Sequence, residues 1–321
     1  MSGTVVSIGN FDGVHVGHRA LLVRARAMAP KGSVIAWCFD PHPMSVLRPG
    51  SAPGRLSTFE QRSAWLQAAG ADEVRRLEPT QDLLGQSPEG FLTSIRTAHP
   101  DLTGIVEGPD FRFGRGRAAG VEELRSLGGK MGVQVSIVEP VEVVGSDQLL
   151  ARASSSLIRW FVAHGRMADA ARVLGRPYEI VGTVVQGDRR GRTIGFPTAN
   201  VQTEQLLPAD GVYAAECVLP EGRVHAMALS VGTKPHFDGV GRTLEGHILE
   251  VAKTASGAIV GLEEYGWTIR IRVLDYLRDQ SRYGTLEELI EQIERDCART
   301  AACAAWARNR AWVGSERAVL A

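Results

Sequence analysis

Lysine is nearly missing from this chain: Lys31, Lys130, Lys234 and Lys253 are all it has, among 36 basic side chains in 321 residues. Arginine supplies the rest, and 36 acidic side chains bring the formal net charge to zero. Proteins that bind nucleic acid by neutralising phosphates carry a basic excess, so that class is disfavoured. Cysteine is scarce too. Cys38, Cys217, Cys297 and Cys303 form no C-x-x-C pair, so neither a zinc site nor a disulfide framework follows. No uninterrupted apolar run approaches the roughly 18 residues of a membrane span. The first ten residues lack a basic stretch ahead of an apolar one, so no targeting segment is expected. These absences predict a soluble protein of a reducing cytoplasm. What is present is apolar material, 44% of the residues. At a prior of ~150 residues per domain, that is enough for two buried cores.

The two halves differ in rhythm. Strand patterns at Thr4–Ile8, Ser33–Phe39, Gly104–Glu107 and Val133–Val138 alternate with helical patterns at His18–Ala29, from a Thr58 cap to Ala69, and Val121–Met131. That alternation predicts βαβ units around a parallel sheet. Ser154–Val173 reads as two helices broken near Gly165-Arg166. Beyond Leu174 come Tyr178–Val185, Val212–Val218, His225–Val231, Thr243–Val251 and Thr268–Leu274, short strands between glycine-rich turns. These predict an antiparallel barrel. One helix, Leu286–Cys297 capped by Thr285, follows, with an Ala/Arg-rich helical tail after Arg299. The expected division is 1–173 and 174–321.

Between the first strand and first helix lies Ser7-Ile8-Gly9-Asn10-Phe11-Asp12-Gly13-Val14-His15-Val16-Gly17-His18. Glycine permits positive φ and close backbone approach to a ligand, and a helix amino terminus attracts anions. His15 and His18, three apart, are expected on one face of the first helical turn, both donating to one phosphate. A metal reading of H-x-x-H lacks a third ligand nearby. The spacing matches neither G-x-G-x-x-G nor the Walker pattern. Transfer of phosphoryl-type groups needs positioning and charge stabilisation, which two imidazoles supply.

G-x-F-D-G-x-H-x-G-H resembles the HxGH nucleotidyltransferases, in the form found at the amino terminus of bacterial bifunctional riboflavin kinase/FMN adenylyltransferases. Phe39-Asp40-Pro41-His42-Pro43, Gly108-Pro109-Asp110-Phe111-Arg112-Phe113-Gly114 and Ser154-Ser155-Ser156-Leu157-Ile158-Arg159 are similar to further segments of that family. The resemblance implies nucleotide binding by Gly9, Phe11, Gly13, Ser155, Ser156 and Arg159, catalysis by His15 and His18, and flavin seating by Asp40, Asp110 and Phe111. Hydroxyls at a helix start with an arginine one turn on also match phosphates on their own chemistry.

The second half opens with Gly182-Thr183-Val184-Val185-Gln186-Gly187-Asp188-Arg189-Arg190-Gly191-Arg192-Thr193-Ile194-Gly195-Phe196-Pro197-Thr198-Ala199-Asn200. Its glycines and arginines predict an anion-binding flap. Thr198 and Asn200 lie two apart on one side of an extended segment and offer the neutral oxygens that Mg²⁺ on nucleotide phosphates accepts. G-R-x-[IL]-G-F-P-T-A-N resembles the riboflavin kinase signature. The resemblance implies nucleotide contacts at Gly187 and Gly195, Mg²⁺ at Thr198 and Asn200, and a catalytic base at Glu245. Departures fall at Pro235-His236-Phe237, at Glu264-Tyr265-Gly266 and at Gln280, where the family keeps a glutamate.

The fold class implied is an α/β HxGH nucleotidyltransferase domain followed by an antiparallel β-barrel kinase domain with a carboxyl-terminal helix. The function implied is riboflavin to FMN, then FMN to FAD with release of pyrophosphate, each with ATP and Mg²⁺. The partners are then the small molecules riboflavin, FMN and ATP, with no nucleic acid and no membrane; the assembly state is not indicated. Alternatives are FMN adenylyltransferase with a weakened kinase, or a non-catalytic flavin-binding regulator. A pure binder has no need to keep His15, His18, Thr198, Asn200 and Glu245 together.

Overall fold

A computed structural model describes residues 3–233, 242–254 and 258–309. His236 lies outside them. Two compact units form, one of Met1–Val144 with Leu149–Ser155, the other of Gly145–Gln148 with Ser156–Ala321.

In the first unit, chain order runs β1 (Thr4–Gly9), α1 (Val16–Met28), β2 (Ser33–Phe39), α2 (Pro43–Leu47), α3 (Phe59–Ala68), β3 (Glu73–Leu77), α4 (Gln81–Leu84), α5 (Pro88–Ala98), β4 (Leu102–Glu107), α6 (Val121–Lys130), β5 (Gln134–Ile137), β6 (Glu142–Val144) and β7 (Leu150–Arg152). Strands β3-β2-β1-β4-β5 make one parallel sheet. Alternation along a strand sends successive side chains to opposite faces, and two cores result. Val6, Ile8, Ile35 and Trp37 meet Phe91, Leu92 and Ile95 of α5 and Leu124 and Leu127 of α6. Val5, Val34, Ala36 and Cys38 meet Leu22 and Ala25 of α1 and Leu66 of α3. Strand β1 is where the order reverses. In such sheets the crevice beyond the carboxyl ends of the strands at the reversal takes ligands.

The second unit continues with α7 (Ser155–Ala163, whose first residue belongs to the first unit), α8 (Met167–Leu174), β8 (Tyr178–Val185), α9 (Arg190–Thr193), β9 (Ala199–Gln202), β10 (Gly211–Val218), β11 (Val224–Thr233), β12 (Arg242–Ile248), β13 (Thr268–Arg278) and α10 (Leu286–Asn309). The six strands close a barrel in the order β10-β11-β12-β9-β8-β13. Thr285 Oγ1 accepts from Glu288 N at 3.2 Å at the start of α10. Bidentate bonds from Arg278 to the buried Asp296 tie that helix to the end of β13.

The parallel sheet, the barrel and the helix break at Gly165, with its φ of 69°, match the sequence expectation. Several elements differ. Helix α1 starts at Val16, two residues earlier than expected, because His15 caps it. Strand β12 stops at Ile248 rather than Val251, ahead of Glu250 at φ 54°. Strand β3 was not expected: it reads Glu-Val-Arg-Arg-Leu on a sheet edge, where half-exposed charges erase the apolar signal. Helix α5 does carry a signature, with Ser87 capping Gly90 N and Pro88 in the first turn.

The glycine turn after β1 is clamped from below. The buried Asp12 carboxylate accepts from Ser57 N at 3.0 Å, Ser57 Oγ at 2.9 Å and Leu56 N at 3.0 Å, and Gly13 N donates to Ser57 Oγ at 2.8 Å. Asp12→Ala strands two buried N–H groups and is expected to cost the first unit about 3 kcal/mol. Amide hydrogen exchange checks this: protection of β1 and of Leu56 should fall, and unchanged protection would show that the clamp is not needed.

Candidate active sites

The turn between β1 and α1 holds two non-glycine residues at positive φ, Phe11 (48°) and Val14 (39°), with Gly13 at 82°. Such backbone is costly and marks a shape that the surroundings impose. His15 is the helix cap rather than a first-turn residue. Its Nδ1 accepts from Gly17 N at 3.1 Å and His18 N at 3.4 Å, while His18 Nδ1 accepts from His15 N at 3.3 Å. A nitrogen that accepts carries no proton, so the neutral rings are protonated at Nε2. The rings stack at 3.6 Å between centroids, and Phe11 meets His18 edge-on at 5.2 Å. Two imidazole donors and the α1 amino terminus are thereby set side by side.

One cavity gathers Gly9, Phe11, His15, His18, Asp110 and Phe111, with Glu107 among its walls. Ser155 Oγ donates to Asp12 O at 2.7 Å, which fixes it to the same turn. Ser156 and Arg159 follow on the part of α7 that groups with the second unit. Asp40 stands elsewhere. Arg62, itself 4% exposed, pairs with its Oδ1, Arg55 Nη2 reaches Oδ1 at 3.3 Å and Arg76 Nη1 reaches Oδ2 at 3.4 Å. Asp40 is therefore an anchor for three arginines at the end of β2, and it does not line the cavity. Cys38 beside it is a thiol whose pKa burial pushes up to about 11, which leaves it inert.

In the barrel, β12 separates two cavities. Gly246 and Ile248 face the first, Glu245 and His247 the second. Thr198 borders both, and Asn200 on β9 pairs directly with Glu245 in the ladder. Gly187 packs against the Asn200 side chain: a Cβ on it would lie 2.0 Å from Asn200 Nδ2, so a larger residue would displace that amide. The first cavity also contains Lys253 and Trp267, whose buried indole nitrogen has no partner among the described residues. Burial lowers the pKa of Lys253. The arginine flap is tied down, with Arg192 Nη2 on Glu264 Oε1 at 2.9 Å and Arg189 Nε on Tyr265 Oη at 3.2 Å. Gly195, at φ 85°, closes the turn that follows.

In the second cavity His247 Nδ1 donates to Pro197 O at 2.9 Å, and its ring meets Phe196 edge-on. Burial lowers its pKa, so it is a neutral strut under the Phe-Pro-Thr turn. Gln280 Nε2 donates to Val231 O at 3.0 Å and Ser230 Oγ at 3.2 Å. Sequence reasoning had no signal for Lys253, Trp267 or His247 as cavity residues. Glu107 had one, an acid at the carboxyl end of a parallel strand immediately before a glycine.

The chain thus carries a parallel-sheet α/β unit followed in sequence by a closed six-stranded barrel unit. A family model described as FAD synthetase matches residues 1–149, and one described as riboflavin kinase matches 174–304. A bifunctional riboflavin kinase/FMN adenylyltransferase of Escherichia coli is 34% identical over 92% of this chain and 90% of its own length. One from Pseudomonas fluorescens is 32% identical over 96% and 95%. A solved structure titled as a macrolide-efflux protein from Streptococcus pneumoniae superposes with a TM-score of 0.80 at 29% identity, covering 94% of each chain. This chain belongs to the bifunctional riboflavin kinase/FMN adenylyltransferase family. Among the described residues no helix is long and apolar enough to cross a membrane.

Gln280→Glu removes both amide donors and sets a carboxylate near the Val231 carbonyl; Gln280 is exposed, so the expected cost is modest, about 0.5–1 kcal/mol. Exchange protection in β11 is expected to drop. Full protection in the variant would mean the amide contacts contribute nothing.

Proposed function

We propose that the first unit's cavity performs adenylyl transfer to FMN and the barrel's paired cavities perform phosphoryl transfer to riboflavin. The chain makes FMN and FAD as a bifunctional riboflavin kinase and FMN adenylyltransferase. The observation that carries the assignment is the ladder pairing of Glu245 with Asn200, which puts a carboxylate and a neutral oxygen donor side by side on one face of the sheet.

In the barrel, ATP occupies the Gly187 side and riboflavin the Glu245 side. Glu245 takes the ribityl hydroxyl proton as that oxygen attacks the γ-phosphorus and ADP leaves. The Trp267 indole N–H and the ammonium of Lys253 offer donors to the nucleotide. Thr198 and Asn200 are hard, neutral oxygens around the Gly187 cradle, a donor set that fits Mg²⁺ accompanying nucleotide phosphates. When bound, Mg²⁺ neutralises charge on those phosphates. Thr198 and Asn200 are the residues of this chain that would hold it; among the described residues no cluster of three acidic, histidine or cysteine side chains could hold a metal ion.

In the first unit, a phosphate oxygen of FMN attacks the α-phosphorus of ATP and pyrophosphate leaves. His15 and His18 aim their Nε2 protons at the charge that builds there. Asp110 and Phe111 lie on the flavin side. Ser155, fixed to the same turn, serves the nucleotide. We place the division of labour at 173/174, a reading supported by the spans of the two family models.

His15→Asn keeps a good helix cap but removes the imidazole donor. FAD formation from FMN should fall by about 100-fold, as for other lost transition-state donors, while FMN formation from riboflavin is unchanged. Glu245→Gln should do the reverse, lowering kcat for riboflavin far more than KM for ATP. Chromatographic separation of flavins over time reads both. Wild-type FAD synthesis in the first variant, or wild-type FMN synthesis in the second, would remove that residue from its role.

A further inference from the structure

Glu107 is the last residue of β4 and is 2% exposed. One carboxyl oxygen accepts from Ile8 N at 2.7 Å, beyond the last β1–β4 ladder pair at Val6 and Ile105. The carboxyl thus spans the split between the two strands. Its other oxygen has no hydrogen-bond partner among the described residues, and the residue lines the cavity that holds His15 and His18. A buried acid with no cation beside it keeps its proton, and burial does hold the Glu107 pKa well above the usual carboxylate range.

We propose that Glu107 is a substrate-binding carboxylic acid, which donates a hydrogen bond through the oxygen that Ile8 leaves open to a phosphate oxygen of the adenylyl-transfer substrates. The inference rests on reading this cavity as the adenylyl-transfer site. Phosphate is the acceptor chemistry the cavity favours, since two imidazole N–H groups and a helix amino terminus meet there. An ionised Glu107 would repel that phosphate. The bound anion in turn holds the proton more firmly, because like charges disfavour ionisation. His15, His18, Asp110 and Glu139 also face this cavity. Their titrations, and those of the substrates, are common to the wild type and to a Glu107 variant. ATP and FMN each bring a phosphate to the reaction, and separate KM measurements distinguish them.

The test is FAD synthesis by the full chain across a pH series, with KM for ATP and for FMN measured separately in wild type, Glu107→Gln and Glu107→Leu. The amide accepts from Ile8 N and donates at every pH, whereas leucine does neither. In the wild type, the KM of the substrate whose phosphate is bound should rise by about tenfold per pH unit above the Glu107 titration. That component should be missing in Glu107→Gln. Glu107→Leu should raise the same KM by about tenfold or more at neutral pH, with a smaller change in kcat. A Glu107→Gln profile that superimposes on the wild type overturns the proposal, as does a change confined to kcat. His18→Ala separates the two levels. If it abolishes FAD synthesis while the Glu107 variants match wild type, the site stands and the Glu107 role falls. If His18→Ala synthesises FAD normally, the cavity is not the adenylyl-transfer site and both readings fall.

Discussion

The first unit depends on the parting of β1 and β4 at their carboxyl ends. Ladder pairing stops at Val6, and the two strands then supply different loops, the histidine turn from β1 and the Gly108-Pro109-Asp110 segment from β4. A cleft opens because neighbouring strands with crossovers on opposite sides of the sheet cannot both be covered at that edge. The exposed backbone of the split is satisfied by the Glu107 side chain instead of a strand partner. Asp12 then holds the turn against Leu56 and Ser57, and the histidines hold each other by reciprocal capping. Each step orders the next, so the two imidazoles are held in place by the fold itself.

The barrel reaches a comparable result with one strand. Alternation along β12 gives Glu245 and His247 to one cavity and Gly246 and Ile248 to the other. Thr198, at the end of the Phe-Pro turn, touches both. The ladder sets Glu245 beside Asn200 of β9 on one face of the sheet. His247 braces the turn through Pro197 O, and Gln280 braces β11 through Val231 O. In the described part of the cavity, a neutral amide in place of a glutamate makes a contact that a carboxylate cannot make.

How much was legible follows from how local each feature is. The glycine turn, the two histidines and the Thr198–Asn200 pair are short segments whose chemistry is written in consecutive residues. The alternation of strands with helices, then strands with turns, was equally plain. Asp40 was not, because its partners Arg55, Arg62 and Arg76 come from separate parts of the chain and turn a loop acid into a packed anchor. The neutrality of Glu107 depends on burial at a strand split, and the place of Lys253 and Trp267 in a cavity depends on barrel closure. These are tertiary facts without a sequence period. The capping role of His15 lay between the two: the residue was conspicuous, but histidine is an uncommon cap, so the helix was expected to begin beyond it.

The central claim is that one chain directs its flavin substrates onto two different phosphorus atoms of ATP, each in its own site. Position-labelled ATP tests it directly. Purified protein is incubated with riboflavin, Mg²⁺ and ATP labelled at either the α- or the γ-phosphorus, and the flavins are separated. The account predicts that γ label enters FMN and is carried into FAD, while α label enters FAD alone. Label from the α position in FMN, or FAD formed without γ label, would contradict it.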